Sequence, residues 1–298
     1  MNGDARNSWK RELLVSVRPK HWIKNVLVFA APAFAHELTH GLAFGKSIWA
    51  FAVFCALASG SYLYNDMADV HGDRAHPMKR TRPIADGRLD TRTAALAAAG
   101  LTVAGLVGAW FLGREFLMVA GAFVLTHVLY TAFLQHVVIL DVFALAANHV
   151  LRVAAGAYAV GVPMSPWLVI CTMLLSLFLG LSARSLDFKL LKDDAVRHRK
   201  ALAEYNPYLL DQMIAVITSA ILVTYTLYTI SPDTARRFGT ASLPLTVLFV
   251  LYGIFRYLYL IHRQEEAPTS LERALISDRP LRINAAAYAL VAFAIIYL

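Results

Sequence analysis

Nine apolar stretches divide this chain, and each is close to the length that an α-helix needs to cross the apolar core of a bilayer, about 20 residues. They cover residues 25–43, 47–64, 93–112, 116–134, 141–161, 165–183, 207–229, 242–261 and 283–298. Only 16% of the residues are charged, whereas soluble domains have about a quarter. We therefore expect an all-α integral membrane protein with nine transmembrane helices, folded as a single domain over residues 1–298.

The basic residues are distributed unevenly between the loops, and this sets the expected orientation. With the N-terminus inside, the inner segments are 1–24, 65–92, 135–140, 184–206 and 262–282. Together with their flanks they carry 23 of the 28 Lys and Arg residues. Because cytoplasmic loops are enriched in Lys and Arg, we expect a multi-pass protein of the plasma (inner) membrane with an N-in, C-out topology. The net charge of +8 is clustered between the apolar stretches, which argues against nucleic acid as a partner.

The two longest inner loops, 65–92 and 184–206, lie four helices apart. This spacing predicts two similar four-helix halves with a ninth helix added. Internal repeats in membrane proteins commonly place a binding site between the repeats. We therefore expect the active site on the cytoplasmic side, where the two loops emerge.

A cluster of acidic residues follows the second apolar stretch, in the motif N-D-x-x-D-x-x-x-D formed by Asn65, Asp66, Asp69 and Asp73. If the helix continues past the membrane, the three carboxylates share one face, because residues at i, i+3 and i+7 align. Crowded carboxylates repel one another unless a cation neutralises them, and their oxygens are ligands that Mg²⁺ prefers. The motif predicts a Mg²⁺ site that bridges to a substrate diphosphate, with a solvated acidic loop as the alternative.

Basic residues near this motif are candidate phosphate ligands. Lys79, Arg80 and Arg82 follow it in the string HPMKRTRP, and Lys20 and Lys24 lie in RPKHWIKN at the inner end of the first stretch. Such residues bind phosphate oxygens or anchor the helix ends at the membrane surface.

Two further arginines lie within or at the end of apolar stretches. Arg152 lies in the fifth stretch, where an arginine is costly unless it faces a polar cavity or partner. We expect it to line a cavity, with structural pairing as the alternative. Arg184 lies one turn before Asp187 at the inner end of the sixth stretch, in a position that mirrors the acidic loop.

The acidic motif and the predicted spans resemble the UbiA superfamily of intramembrane transferases. Four further strings are similar to one branch of it, the decaprenyl-phosphate phosphoribosyltransferases: RPKHWIKN at 18–25, DRAHPMKRTRPIADG at 73–87, DVFALAANHVLR at 141–152 and SDRPL at 277–281. The resemblance covers essentially the whole chain and implies a UbiA-like helical bundle.

This resemblance implies an enzyme that moves 5-phosphoribosyl from phosphoribosyl pyrophosphate (PRPP) to a polyprenyl (decaprenyl) phosphate, releasing pyrophosphate, in the supply of cell-wall arabinan precursors. It implies Mg²⁺ at Asn65, Asp66, Asp69 and Asp73, catalytic roles for these three aspartates and Asp187, and phosphate contacts from Lys20, Lys24, Lys79, Arg80, Arg82, Arg152 and Arg184. Prenyl-transferring members carry a second acidic motif after the sixth span. Here that position reads SARSLDF, with Asp187 as its one acid and Ala183 in place of the usual lysine.

Two other functions stay open at this point. One is an aromatic prenyltransferase on the same fold, with a prenyl diphosphate as donor. The other is a transporter or lipid-binding protein, against which the position of the acidic motif outside the spans argues. The chain contains no Ser-His-Asp arrangement, P-loop or glycine-rich dinucleotide turn, so hydrolysis and nucleotide-driven transport have no support. Association into a homo-oligomer is neither indicated nor excluded.

Overall fold

A computed structural model describes residues 4–75, 79–191, 204–262 and 271–297. Within these ranges the chain is helical and contains no β-strand. The α-helices are α1 (Asp4–Ser16), α2 (Ala30–Phe34), α3 (Gly41–Ala68), α4 (Val70–Ala75), α5 (Thr91–Trp110), α6 (Arg114–Ala132), α7 (Leu140–Val160), α8 (Pro166–Leu191), α9 (Pro207–Ile230), α10 (Pro232–Phe238), α11 (Val247–His262), α12 (Leu271–Ser277) and α13 (Arg279–Tyr297). Short 3-10 helices occupy Pro19–Phe29, Glu37–Thr39, Lys79–Thr81, Leu134–His136 and Leu243–Thr246.

Eight of the described helices are long and apolar enough to cross a membrane. They are α3, α5, α6, α7, α8, α9, α11 with the 3-10 turn before it, and α13. The prediction of an all-α, multi-pass membrane protein is confirmed. The predicted count of nine is not confirmed, because the first apolar stretch, 25–43, does not form a helix of that length in the described part of the chain.

Residues 18–29, which lead into this stretch, nevertheless follow α3 in the opposite direction. Successive contacts link Arg18 to Asp66, Trp22 to Ser59, Asn25 to Cys55 and Phe29 to Phe51. The chain here is a 3-10 helix of 11 residues followed by α2, although 3-10 helices usually span only three or four residues. Pro32 lacks a backbone donor, and His36 has a positive φ of 62°. These two features account for the interruption of a continuous helix.

Gly156 of α7 allows this 3-10 helix to approach closely. A Cβ atom at Gly156 would lie 1.8 Å from the backbone oxygen of Val28. Glycines play a similar part between α3 and α5, where a Cβ at Gly105 would lie 2.5 Å from a methyl carbon of Leu57. Small residues allow membrane helices to pack backbone against backbone. Here Gly156 allows the 3-10 helix to approach α7, and Gly105 allows α5 to approach α3.

The chain divides into two compact units. The first consists of Met1–Gln135 and Ala147–Met164, and the second of His136–Ala146 and Ser165–Leu298. The first unit has an apolar core around Phe54, Phe116 and Phe123. That the whole chain is one functional domain, with two similar halves, stays a prediction.

The second unit has its own core, in which Phe178, Leu210 and Tyr257 are buried. An ion pair connects two of its elements, since Arg256 of α11 donates two hydrogen bonds to Asp278, at 3.1 and 2.7 Å. Asp278, from the SDRPL string, also accepts from the Leu281 N–H at 2.8 Å and so caps α13. The contacts described for SDRPL are therefore structural.

Candidate functional site

The acidic motif lies at the end of α3, but it does not continue as one regular helix. Helix α3 ends at Ala68, and Asp69 has φ −90° and ψ 5° before α4 begins at Val70. The backbone of Asp69 still donates to Asn65 O at 2.9 Å, and Asp73 donates to Asp69 O at 2.8 Å. The motif is therefore not one uninterrupted helix, and the break falls at Asp69, whose side chain has different partners from those of Asp66 and Asp73.

Asp66 and Asp73 converge on one point. Both carboxylates are 3% exposed, and both accept from the same atom, Arg82 Nη1, at 3.0 and 2.5 Å. Arg18 donates from Nη2 to the same Asp66 oxygen at 2.5 Å and lies over the Tyr62 ring, 5.3 Å from its centroid. Two buried carboxylates and two guanidinium groups thus form one ion-pair cluster in the first unit.

Asp69 belongs to a neighbouring set of contacts. Asn65 donates to Asp69 Oδ2 at 2.5 Å, and Gln135 donates to Asp69 Oδ1 at 3.3 Å. Gln135 also donates to Thr131 O at the end of α6. The structure therefore pairs Asp66 with Asp73 and places Asn65 with Asp69.

The loop that carries Arg82 is fastened to the first unit at several points. Ile84 and Leu89 are buried in a small apolar cluster with Leu63 of α3. Arg88 donates to Thr81 O and to Asp86, both at 2.6 Å, and to Glu12 of α1. These contacts fix the backbone on both sides of Arg82 and so direct its side chain at the two carboxylates.

Burial and ion pairing act on Asp73 in opposite directions. Burial raises the pKa of Asp73, while Arg82 and then Lys79 lower it, and the net shift is upward. Removing positive charge from this cluster would therefore favour the protonated carboxyl group.

The other predicted phosphate ligands of the first unit are more exposed. Lys20 and Arg80 are exposed, and Lys24 and Lys79 are half-buried. Lys79 is close enough to Asp73 to influence its ionisation. His76, Pro77 and Met78 of the HPMKRTRP string lie outside the described residues.

Arg152 lies away from the acidic cluster, deep in α7. It is 3% exposed and donates to Asn25 Oδ1 at 2.7 Å and to Asn148 O at 2.8 Å, with its guanidinium 4.7 Å from the Phe123 ring centroid. Asn25 also contacts Cys55, which precedes Asp66 by roughly 16 Å of helix. These are the contacts of the structural-pairing alternative, and a phosphate-binding role for Arg152 stays a prediction.

In the second unit, Arg184 is the centre of a separate cluster. Its Nε donates to Asp141 Oδ2 at 2.6 Å, and its Nη1 lies 3.4 Å from Asp187 Oδ2. The Tyr205 hydroxyl donates to Asp141 Oδ1 at 2.9 Å. The structure thus confirms that Arg184 and Asp187 are neighbours and adds a buried carboxylate, Asp141, to them.

Sequence patterns do not identify several of these partners. Arg18 belongs to the same basic patch as Lys20 and Lys24, but the sequence does not indicate that it pairs with Asp66. Asp141 could have been suspected because it is a charged residue at the very start of an apolar stretch. Gln135 and Tyr205 carry no signal in the sequence, since their contacts join residues 64 or more positions apart.

The donor set of the first unit fits a hard cation, although its carboxylates are paired with arginine. Within the described ranges, no group of three or more His, Cys, Asp or Glu side chains is arranged to hold a metal ion. Asp66 and Asp73 nevertheless direct oxygens at a single cationic nitrogen, and two carboxylates that share one cation are suited to Mg²⁺. The residues therefore fit such an ion once Arg82 moves aside.

Comparison with known proteins shows which family the chain resembles. The model of the UbiA prenyltransferase family matches residues 26–277. The decaprenyl-phosphate phosphoribosyltransferase of Mycolicibacterium smegmatis is 32% identical over 81% of this chain and 81% of its own length. The enzyme of the same name from Corynebacterium glutamicum is 31% identical over 81% of this chain and 75% of its own length.

Solved structures show the same fold at low sequence identity. A UbiA homolog from Archaeoglobus fulgidus bound to GPP and Mg²⁺ superposes with a TM-score of 0.74 at 16% identity, covering 96% of this chain and 100% of that one. The apo structure of a UbiA homolog from Aeropyrum pernix gives a TM-score of 0.70 at 16% identity, covering 92% of this chain and 98% of that one. These likenesses establish the fold of the chain.

Proposed function

The chain belongs to the UbiA prenyltransferase family, and from that premise we propose that it transfers 5-phosphoribosyl from PRPP to a polyprenyl phosphate and releases pyrophosphate. The observation that carries the proposal is the Arg184 cluster. Where prenyl-transferring members have a second acidic motif, this chain has a buried arginine beside Asp187. Positive charge there suits a donor with a 5-phosphate in addition to its diphosphate.

We assign the metal site to Asn65, Asp66, Asp69 and Asp73. Their oxygens are of the kind that Mg²⁺ selects, and a UbiA homolog of the same fold has been solved bound to GPP and Mg²⁺. When bound, Mg²⁺ stabilises the negative charge that develops on the pyrophosphate leaving group. Asp66 and Asp73 would hold the metal, and Arg82, which pairs with both carboxylates, would then be available to a phosphate.

The basic residues of the first unit are proposed to neutralise the donor phosphates. Arg82 already lies beside the carboxylates, and Lys79 is close to Asp73. Lys20, Lys24 and Arg80 flank the cluster in sequence and supply further donors. In the second unit, Arg184, which lies beside Asp187, is the proposed phosphate ligand.

The chemical step requires little acid–base help from the protein. The bond between C1 of the ribose and the pyrophosphate oxygen breaks, the ring oxygen stabilises the cationic carbon, and an oxygen of the lipid phosphate forms the new bond to C1. That nucleophile is already an anion, so no general base has to remove a proton from it. The main work of the chain is to position the two phosphorylated substrates and to balance their charge.

The acceptor reaches the site from the membrane. In the described part of the chain, eight helices are long and apolar enough to cross a bilayer, which is where a polyprenyl phosphate resides. The basic residues indicate that both inner loops, and with them the site, face the cytoplasm at the plasma membrane.

A direct assay of the purified protein tests this proposal. With radiolabelled PRPP, Mg²⁺ and a polyprenyl phosphate, we expect a labelled lipid and free pyrophosphate. Excess EDTA should stop the reaction. A parallel reaction contains a prenyl diphosphate and an aromatic acid acceptor; if only prenyl transfer occurs, the family assignment holds and the donor assignment is wrong.

Asp66→Asn and Asp73→Asn should each nearly abolish turnover, because the loss of even a hydrogen-bond partner of a metal ligand lowers metal affinity or activity by about 10- to 100-fold. Asp233→Asn is the matched control, since it removes an exposed carboxylate paired with Arg236. Thermal unfolding should show that the variants are folded. Turnover of both variants at the wild-type rate, or full turnover in EDTA, would contradict the metal role.

A further inference from the structure

Asp141 is a fully buried carboxylate that the proposed chemistry does not use. It is 0% exposed and lies in the first turn of α7. Both oxygens have partners: Oδ2 accepts from Arg184 Nε at 2.6 Å, and Oδ1 accepts from the Tyr205 hydroxyl at 2.9 Å. Replacing a buried ion pair by apolar residues is often neutral or stabilising, so a gain in stability alone does not explain why a chain should keep one here.

Tyr205 fastens this carboxylate to the backbone. Its hydroxyl accepts from the Ile139 N–H at 2.7 Å while it donates to Asp141. Ile139 has a φ of 70°, which is strained for a β-branched residue. Burial, followed by the nearby Asp141 carboxylate, raises the pKa of Tyr205. The hydroxyl therefore stays protonated at neutral pH and keeps donating to Asp141.

The two acidic partners of Arg184 differ in kind. Asp141 is buried and close, and it holds the Nε side of the guanidinium. Asp187 is 43% exposed, and its oxygen lies 3.4 Å from Nη1, beyond the usual length of a charge-assisted hydrogen bond. A competing anion would therefore displace Asp187 more readily than Asp141.

We propose that Asp141 and Tyr205 are positioning residues that hold the guanidinium of Arg184 in one orientation, with its Nη1 side presented to a phosphate group of the donor and Asp187 as the partner that this phosphate displaces. The inference rests on the proposed function, because it takes the ligand of Arg184 to be a phosphate of PRPP. An arginine that is immobilised in the folded protein loses less side-chain entropy when its ligand binds. The fixed orientation of Arg184 should therefore strengthen the binding of PRPP.

The test compares Asp141→Asn and Tyr205→Phe in the wild-type and Arg184→Gln backgrounds. We expect Asp141→Asn to raise the KM for PRPP by about 10- to 100-fold, the usual effect of losing a charge-assisted contact, and Tyr205→Phe to raise it by about 2- to 10-fold. The KM for polyprenyl phosphate should not change. In the Arg184→Gln background, neither substitution should raise the KM for PRPP by more than about twofold, because residues that act through a common partner are not additive.

Asp278→Asn is the matched control, because it breaks another aspartate–arginine pair of the same unit, that with Arg256. It should lower the melting temperature and leave the KM for PRPP unchanged. If Asp141→Asn does not fold, Tyr205→Phe, which keeps the ring, carries the test.

Three results would overturn the inference: an unchanged KM in both variants, equal effects with and without Arg184, or an equal rise of KM in Asp278→Asn. A wild-type protein that neither binds nor turns over PRPP overturns the proposed function, and the inference with it. Normal wild-type turnover with unaffected variants overturns the inference alone.

Discussion

Replacing Gly156 by alanine should separate the RPKHWIKN segment from α7. The new Cβ would lie 1.8 Å from Val28 O and 3.3 Å from Pro32 Cδ. Normal van der Waals separations begin near 3.4 Å, so the two backbones must move apart by on the order of 1.5 Å. Arg152, one turn earlier on the same helix, donates to Asn25 at 2.7 Å, and a shift of this size takes that pair beyond hydrogen-bonding distance.

The expected cost of Gly156→Ala has two components. Overpacking costs about 1–3 kcal/mol, and a lost hydrogen bond of a charged group costs about 1.5–3 kcal/mol. Together they amount to about 2.5–6 kcal/mol. A melting temperature falls by about 2–4 °C for each kcal/mol in larger domains, so we expect a decrease of about 5–24 °C.

Thermal unfolding in detergent or nanodiscs measures this decrease, and two glycines of the same unit serve as controls. A Cβ at Gly100 of α5 or at Gly121 of α6 would meet nothing within 4 Å. Alanine at those positions should leave the melting temperature unchanged or raise it slightly, since alanine favours the helix over glycine. If Gly156→Ala melts within about 2 °C of these controls, which is the effect of roughly 1 kcal/mol or less, the close approach does not hold the segment in place.

Three further predictions concern other parts of the chain. Arg256 lowers the pKa of Asp278, so its ion pair stabilises the fold above the unfolded-state pKa of about 3.9. That contribution is lost as pH falls through the lower, folded pKa. Asp278→Asn should therefore reduce the melting temperature at pH 6, with a difference from wild type that starts to shrink below about pH 4 and disappears only below the folded pKa of Asp278. A constant difference at all pH values would refute the ion pair. For topology, the exposed residues Glu204 and Asp233 lie at opposite ends of α9. In a background without Cys55 and Cys171, a membrane-impermeant thiol reagent should label Asp233→Cys in intact cells and Glu204→Cys only after permeabilisation. At the donor site, Ala183→Lys should lower the KM for PRPP, and Arg184→Ala should raise it by about 10- to 100-fold; wild-type activity with another sugar diphosphate in place of PRPP would mean that Ala183 marks a change of substrate.

The spans could be predicted from sequence because each is a local property. A helix in a bilayer needs about 20 apolar residues, and α3, α5 to α9, α11 and α13 all show that pattern. The stretch 25–43 has the same composition but forms a 3-10 helix and the short α2. Its path depends on a close approach to Gly156, which lies more than a hundred residues away and which no local pattern reveals.

The chemical types of the site residues could also be predicted, but their pairings could not. The spacing of Asp66, Asp69 and Asp73 predicts a single helical face. In the structure Asp66 and Asp73 both accept hydrogen bonds from Arg82, whereas Asp69 accepts from Asn65. The basic string at 18–25 predicts phosphate ligands at Lys20 and Lys24. It does not predict the ion pair of Arg18 with Asp66, which Arg18 forms from a left-handed conformation, with φ 52°, just before a proline. Such backbone strain is set by the surrounding fold.

The ion pairs of the first unit have a consequence for substrate binding under the proposed function. Asp66 and Asp73 are buried carboxylates that would be costly without a cation, and Arg18 and Arg82 supply that cation within the chain itself. A metal diphosphate brings both a cation for the carboxylates and anions for the arginines. Binding of such a complex would exchange one set of ion pairs for another and would leave no buried charge uncompensated. Free pyrophosphate without metal would bind to Arg18 and Arg82 and would leave Asp66 and Asp73 without a cation. This cluster should therefore bind the metal complex in preference to the free anion.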